Sequence, residues 1–128
     1  MLRKTSNWAA VALWVASSAV FPGAADAHHS FAMFDKSKFT TIKGVVRKVE
    51  WKNPHTYLFL DVPDGHGAST LYALEGSSPN ELGRWGWKMS TIKTGDTVTV
   101  GLFPLRDGQS GGLIYSVTLQ NGVVLKAN

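Results

Sequence analysis

The chain has 128 residues, 13 basic and 9 acidic side chains, a formal charge of +4 and no cysteine. That length holds a single domain, and the missing cysteine excludes disulfide staples and a cysteine-linked lipid anchor, so an apolar core must carry the fold. The charge is too modest and too dispersed for a nucleic-acid binder, and export, argued next, removes that class of partner.

The first 27 residues read as a secretory signal. Arg3 and Lys4 form a basic start, and Trp8 to Phe21 is an uncharged apolar run, short for a membrane span. Pro22-Gly23 breaks that run, and Ala25-Asp26-Ala27 offers the small-x-small cleavage pattern. A retained anchor is the alternative. Cleavage after Ala27 leaves a domain over residues 28–128 and no stable membrane span. Basic residues fall from 13 to 11, acidic ones from 9 to 8, and the charge from +4 to +3. The expected compartment is the periplasm or the exterior.

In the exported part, His28 to Lys38 is a lead-in without clear period. Phe39 to Trp51 is rich in β-branched residues and predicts a long first strand, with Gly44 marking a bulge or bend. Lys52-Asn53-Pro54 is a turn signal. His55 to Val62 alternates as a second strand, Leu58, Leu60 and Val62 on one face and Tyr57, Phe59 and Asp61 on the other. Pro63 to Gly67 is a glycine-bearing hairpin connection carrying His66, an exposed turn residue. Ser69 to Leu74 is a third strand.

Ser78-Pro79-Asn80-Glu81 is a capping box opening a short helix, with Leu82, Trp85 and Trp87 as its apolar contacts. The two indoles are expected to plug the barrel. Lys93 to Asp96 is a turn, and Thr97 to Phe103 a fourth strand with Val98, Val100 and Leu102 inward. Pro104 to Gly112 reads as a glycine-rich loop. Leu113 to Leu119 is a fifth strand with Tyr115, Val117 and Leu119 inward. Asn121-Gly122 is a hairpin turn, and Val123 to Lys126 a short last strand.

The order β-β-β-α-β-β, with a long bent first strand and a helix between strands three and four, predicts an all-β fold: a small OB-like Greek-key barrel preceded by the signal helix. An open sandwich or meander of the same strands is the alternative. Closure also removes exposed edges from so small a sheet.

One set of segments carries a resemblance. It comprises His28-His29-Ser30-Phe31, Gly44-Val45-Val46, Trp51-Lys52-Asn53-Pro54-His55, Glu75-Gly76-Ser77-Ser78-Pro79, Leu82-Gly83-Arg84-Trp85-Gly86-Trp87 and Gly95-Asp96. These segments resemble an uncharacterised family of small exported bacterial proteins, a domain of unknown function. The resemblance spans nearly the whole exported part and implies export and domain extent, with no assigned activity.

Two candidate sites follow. Cleavage after Ala27 would make His28 the first residue, so that its α-amine and imidazole chelate a metal, with His29 or His55 adding a third nitrogen. Copper suits such a nitrogen-rich set. Cleavage after Ala25 would instead place His28 third, a position that also chelates Cu(II) or Ni(II). The second candidate is the ligand-binding end of the barrel, where Trp51, His55, Tyr57, Phe59 and Arg106 would line the region between the turn before strand two and the loop between strands four and five. A local structural role for His55 and a barrel-closing role for Trp51 are the competing readings. Glu75, at a strand end, reads as a solvated or capping carboxylate. No nucleophile elbow, zinc-protease helix or phosphate loop is present in the sequence.

The function expected from sequence is a non-enzymatic periplasmic binding module. Its partner would be a small molecule, a metal ion or an envelope protein. The alternative is a copper-binding or copper-dependent redox protein.

Overall fold

The computed structural model describes residues 31–128; the signal assigned to residues 1–27, its helix, and His28 and His29 lie outside them. Six strands and one short helix follow in chain order: β1 (Thr40–Glu50), β2 (Tyr57–Pro63), β3 (Ser69–Glu75), α1 (Pro79–Arg84), β4 (Thr97–Pro104), β5 (Gly111–Thr118) and β6 (Val124–Lys126). Among the described residues no helix is long and apolar enough to cross a membrane.

The long β1 serves two neighbours. Its first half pairs antiparallel with β4 and its second half with β2, and Val45 is paired on both sides, to Thr97 and Asp61. Sequence placed a bulge or bend at Gly44; the register slip itself falls between Val46 and Lys48. Gly44 has a different task. A side chain there would run into the Asp61 carbonyl, so glycine lets β2 cross β1 closely as the strand changes partners.

The sheet runs β3-β2-β1-β4-β5-β6, and a further pairing of β3 with β5 closes five strands into a barrel. That closing pair is parallel, with Ala73 opposite Gly111, Leu74 opposite Gly112 and Glu75 opposite Leu113. Two glycines make the approach possible. A Cβ on Gly111 would sit 2.8 Å from the Ala73 carbonyl oxygen and 2.9 Å from Leu105 Cδ1, and one on Gly112 would press into the Phe103 carbonyl and Leu102. The sequence reading left both glycines in the preceding loop. They instead begin β5, because the strand that meets β3 there must be bare of side chains.

Alternation fills the interior. Leu58 and Leu60 of β2, Leu74 of β3, Val98, Val100 and Leu102 of β4 and Val117 of β5 are all buried. Full burial of one such side chain contributes about 1.5–3 kcal/mol. β5 departs from the expected pattern. Gly101 pairs with Ser116 and Leu102 with Ile114, which leaves Tyr115 as an extra residue. The bulge reverses the phase, so Ile114 goes inward and Tyr115 is 48% exposed. Outside, Tyr115, Phe39 and Phe103 meet edge to face in a cluster of three, with centroids 5.8–5.9 Å apart.

The helix forms as its signals direct. Ser78 Oγ accepts from the Glu81 amide at 3.3 Å, and Pro79 opens the first turn. Leu82 is buried in the core. Trp87 follows it inward, its Nε1 donating to the Lys126 carbonyl at 2.7 Å, which ties the post-helix turn to β6. Trp85 is half-buried against the same core. The hairpin turn before β6 closes with Gly122 at φ +88° and its amide donating to the Leu119 carbonyl at 2.9 Å.

Substitution at the closing seam should therefore be costly. Gly111→Ala and Gly112→Ala are each expected to lower stability by about 1–3 kcal/mol in urea denaturation, the range for overpacking. Gly83→Ala, in the exposed helix with open space around its Cα, should instead be neutral or gain up to about 1 kcal/mol. Equal losses in all three would show that the seam imposes no special constraint.

Candidate functional site

The closing seam places one charged group where strand alternation alone would leave it in water. Glu75 ends β3, lies opposite Tyr57 on β2 and opposite Leu113 on β5, and is only 7% exposed. Sequence suggested a solvated or capping carboxylate; the structure corrects that. Glu75 is covered because the lead-in folds over it. Met33 and Phe34 of the lead-in, with Tyr57, Ala73, Leu105 and Gly112, wall a cleft of about 170 Å³ in which Glu75 also takes part.

The two oxygens of this carboxylate are in different situations. Oε2 accepts from the Tyr57 hydroxyl at 3.0 Å. Burial, and then the Glu75 carboxylate, push the Tyr57 hydroxyl above its ordinary pKa. Oε1 is buried and has no hydrogen-bond partner among the described residues. His55 Nδ1 lies 3.4 Å from it, without hydrogen-bond alignment, and the imidazole is 30% exposed. A bare buried carboxylate oxygen is costly, since burial removes its water without supplying a donor.

His55 opens onto a second cleft, of about 300 Å³, with Phe31, Gly76, Ser77, Glu81, Trp85, Leu113 and Asn128 around it. The backbone here is knotted firmly. The Gly76 amide donates to Thr56 O at 2.8 Å, the Thr56 amide to Ser77 O at 3.1 Å, and the Ser77 amide to Ala127 O at 3.2 Å. The region before β2, the end of β3 and the C-terminal segment thus share one frame.

Of the five ligand-end residues expected from sequence, the structure brings two to Glu75: Tyr57 by a hydrogen bond and His55 by proximity. Phe59 stacks outward on Tyr57 at 6.4 Å, under the Lys48 ammonium. Trp51 is half-buried against the core. Arg106 is engaged with the lead-in, where its Nε donates to Ala32 O at 3.0 Å and its amide to Met33 O at 2.9 Å. A bridge between Phe34 and Leu105 completes that attachment. Asp35 lies beneath, its carboxylate accepting from Ser37 Oγ at 2.6 Å, which with Lys38 lowers its pKa. Sequence did not foresee the docked lead-in. Phe34 and the Asp35-x-Ser37 turn were its only local signals.

Of the expected metal ligands, His55 is at this site, while His28 and His29 lie outside the described residues. Among the described residues no group of three His, Cys, Asp or Glu side chains is placed to hold a metal ion. His66 is exposed in the hairpin turn, its amide donating to Asp64 Oδ1 at 2.7 Å.

At the rim, Glu50 is gripped from both sides, Oε1 by Lys48 and Oε2 by Lys52, each at 2.6 Å.

Fold and site together define a small closed five-stranded barrel, helix-capped between strands three and four, with a half-paired carboxylate at its seam. The chain belongs to a family of unknown function, DUF6152, whose model matches residues 15–116. No curated protein matches it.

Two outcomes test this geometry. Tyr57→Phe removes the donor to Oε2 and should cost about 1–3 kcal/mol of stability, whereas Glu75→Gln removes the buried charge and should leave stability unchanged or raise it. Equal losses in urea melts would make the carboxylate a net structural contributor. Second, the Lys48 hydrogen bond, then that of Lys52, hold the Glu50 carboxyl at about 2, against an ordinary 4.5. A folded-state pKa below the unfolded one means that its stabilisation is complete above the ordinary carboxylate range and is lost as pH falls through about 2. Carboxyl NMR titration should find that low midpoint, and replacing Lys48 and Lys52 by Met should return it to the ordinary value.

Proposed function

We propose that this protein is an exported, non-enzymatic binding module of the cell envelope, acting in the periplasm or outside the cell, which seats its ligand where His55, Tyr57 and Glu75 meet. The observation that carries this reading is the buried Glu75 Oε1, which has no hydrogen-bond partner among the described residues. A binding partner that offers a donor or a positive charge would supply what the fold leaves out. The Tyr57 hydroxyl orients the carboxylate, and the partly exposed His55 gives access from the cleft walled by Phe31, Trp85 and Leu113.

Position within the barrel supports the same reading. OB-type barrels bind on the face of strands two and three and at the loops after strands one and four. Tyr57 and Glu75 are a cross-strand pair of β2 and β3, and Leu105 of the loop after β4 walls the neighbouring cleft. The export half of the proposal is supported by Arg3, Lys4, the apolar run Trp8 to Phe21 and the Ala25-Asp26-Ala27 pattern.

The test is amide chemical-shift mapping of the labelled protein against an extract of its native cell envelope. Shifts are expected at Gly76, Ser77 and Leu113 and are expected to vanish in Glu75→Gln. Shifts confined to Asp96, Thr97 and Asn121, which line a separate pocket, would overturn the assignment of the site.

A further inference from the structure

We propose that the cleft beside His55 takes a primary organic ammonium ion, its nitrogen donating to Glu75 Oε1 and its apolar body lying between Phe31, Trp85 and Leu113. This rests on the binding reading above and gives its ligand a chemical class.

Charge pairing singles out two carboxylates. Of the 9 acidic side chains, all but Asp26 lie among the described residues. Asp35, Glu50 and Asp61 each hold a lysine or arginine. Asp64, Asp96 and Asp107 accept backbone amides of their own turns. Glu75 and Glu81 remain, and no lysine or arginine of the described residues pairs with either. Oε2 of Glu75 has the Tyr57 hydroxyl, but Oε1 has only His55 Nδ1 at 3.4 Å, without hydrogen-bond alignment. Glu81 has only the Ser78 hydroxyl, at 3.5 Å and at its own amide. Glu75 is 7% exposed, so a carboxylate that water barely reaches is left without a cation of its own.

Both groups belong to one cleft. His55, which lies against Oε1, lines the opening of about 300 Å³, and Glu81 lines it too. No hydrogen bond joins the imidazole to Oε1, so swinging the ring aside sacrifices none and turns the oxygen toward the cleft. The place it vacates calls for a proton and a positive charge together, because a charge-assisted hydrogen bond is roughly twice as strong as a neutral one. A primary ammonium supplies both. An alcohol brings the proton without the charge, and a quaternary ammonium the charge without the proton.

The walls select an organic cation over a hydrated inorganic one. Phe31, Trp85 and Leu113 offer apolar surface to a hydrocarbon body. Both rings already attract ammonium groups of the protein itself: Lys36 Nζ lies 5.1 Å from the Phe31 centroid and Lys126 Nζ 4.8 Å from that of Trp85. Size agrees, since a cavity of about 150 Å³ takes benzene and this cleft is larger. Glu81, exposed on the helix, adds a second negative charge at the approach.

The experiment titrates the labelled protein, as processed in its native cell, with n-butylammonium and follows amide shifts. Saturable shifts are expected at Gly76, Ser77 and Leu113. Butan-1-ol and butyltrimethylammonium, run on the same unmutated protein, should each bind at least roughly tenfold more weakly, the weight of a hydrogen bond between charged groups. Glu75→Gln should lose a similar factor, with circular dichroism confirming its fold. Glu81→Gln, which removes an exposed charge, should lose no more than roughly fivefold. N-acetyl-lysine methylamide carries the same four-carbon ammonium. If it matches or exceeds n-butylammonium, the natural source is a lysine side chain; if it binds more weakly, the source is a free amine. Either result supports the class.

Equal binding of butan-1-ol and n-butylammonium would reduce the site to an apolar crevice and overturn the proposal. Equal binding of the quaternary ion, or affinity unchanged in Glu75→Gln, would overturn it too, as would the absence of saturable shifts at this end. The binding reading is judged apart from this: envelope extract that still shifts Gly76, Ser77 and Leu113 while n-butylammonium does not would keep that reading and remove the amine. If neither amine nor extract acts at this end, both fall.

Discussion

Closure of the barrel between β3 and β5 is the constraint from which the other features follow. A five-stranded sheet this small must either expose two edges or join them. Here the joining pair is parallel and short, and it works because Gly111 and Gly112 present no side chain to the Ala73 and Phe103 carbonyls. Once β5 lies against β3, Leu113 stands opposite Glu75, and the loop that precedes β5 is brought over the outer face of β3. The lead-in can then bridge to Leu105 and cover the carboxylate. The same two glycines thus complete the core and set the surroundings of the one charged group at the seam.

Most of the architecture was legible because it is local. β-branched runs marked β1 and β4, alternation gave the inward faces of β2 and β4, and Ser78 with Glu81 marked the helix start. The misreadings share one cause. Tyr115 was placed inward by strict alternation, but a bulge opposite Gly101 and Leu102 reverses the phase. Gly111 and Gly112 looked like loop because glycine is read as a breaker, whereas here close backbone approach demands it. Glu75 looked solvated because nothing beside it in sequence hides it. Its cover comes from Met33 and Phe34, about forty residues earlier, and from Leu105, thirty later. Facts that depend on tertiary closure are invisible to local pattern.

The candidate site was half legible for the same reason. His55 and Tyr57 were picked out because they follow a proline turn at the start of a strand, a position that OB-type barrels use. Their common partner was missed, although it lies directly across the β2–β3 ladder from Tyr57. Arg106, expected at the ligand end, hydrogen-bonds the backbone of Ala32 and Met33. Its role follows from the docked lead-in, which had no periodic signal.

Alternation separates the demands of folding from those of the site. Leu74 points into the barrel and is fully buried, while Glu75, the next residue, points to the seam. A change at Glu75 therefore leaves the core lining intact, and the half-paired carboxylate is a cost the apolar interior can carry. Phe31 walls the cleft beside His55, and the lead-in that bears it is held by Arg106 and by the Phe34–Leu105 bridge. Under the proposed binding reading, a ligand seated against Glu75 and His55 would also touch this segment. Its binding free energy and the docking of the lead-in would then be linked, each favouring the other by the same amount. A seam closed by two glycines, a carboxylate beneath a docked strand end and a histidine at the opening together make one unit rather than three separate features.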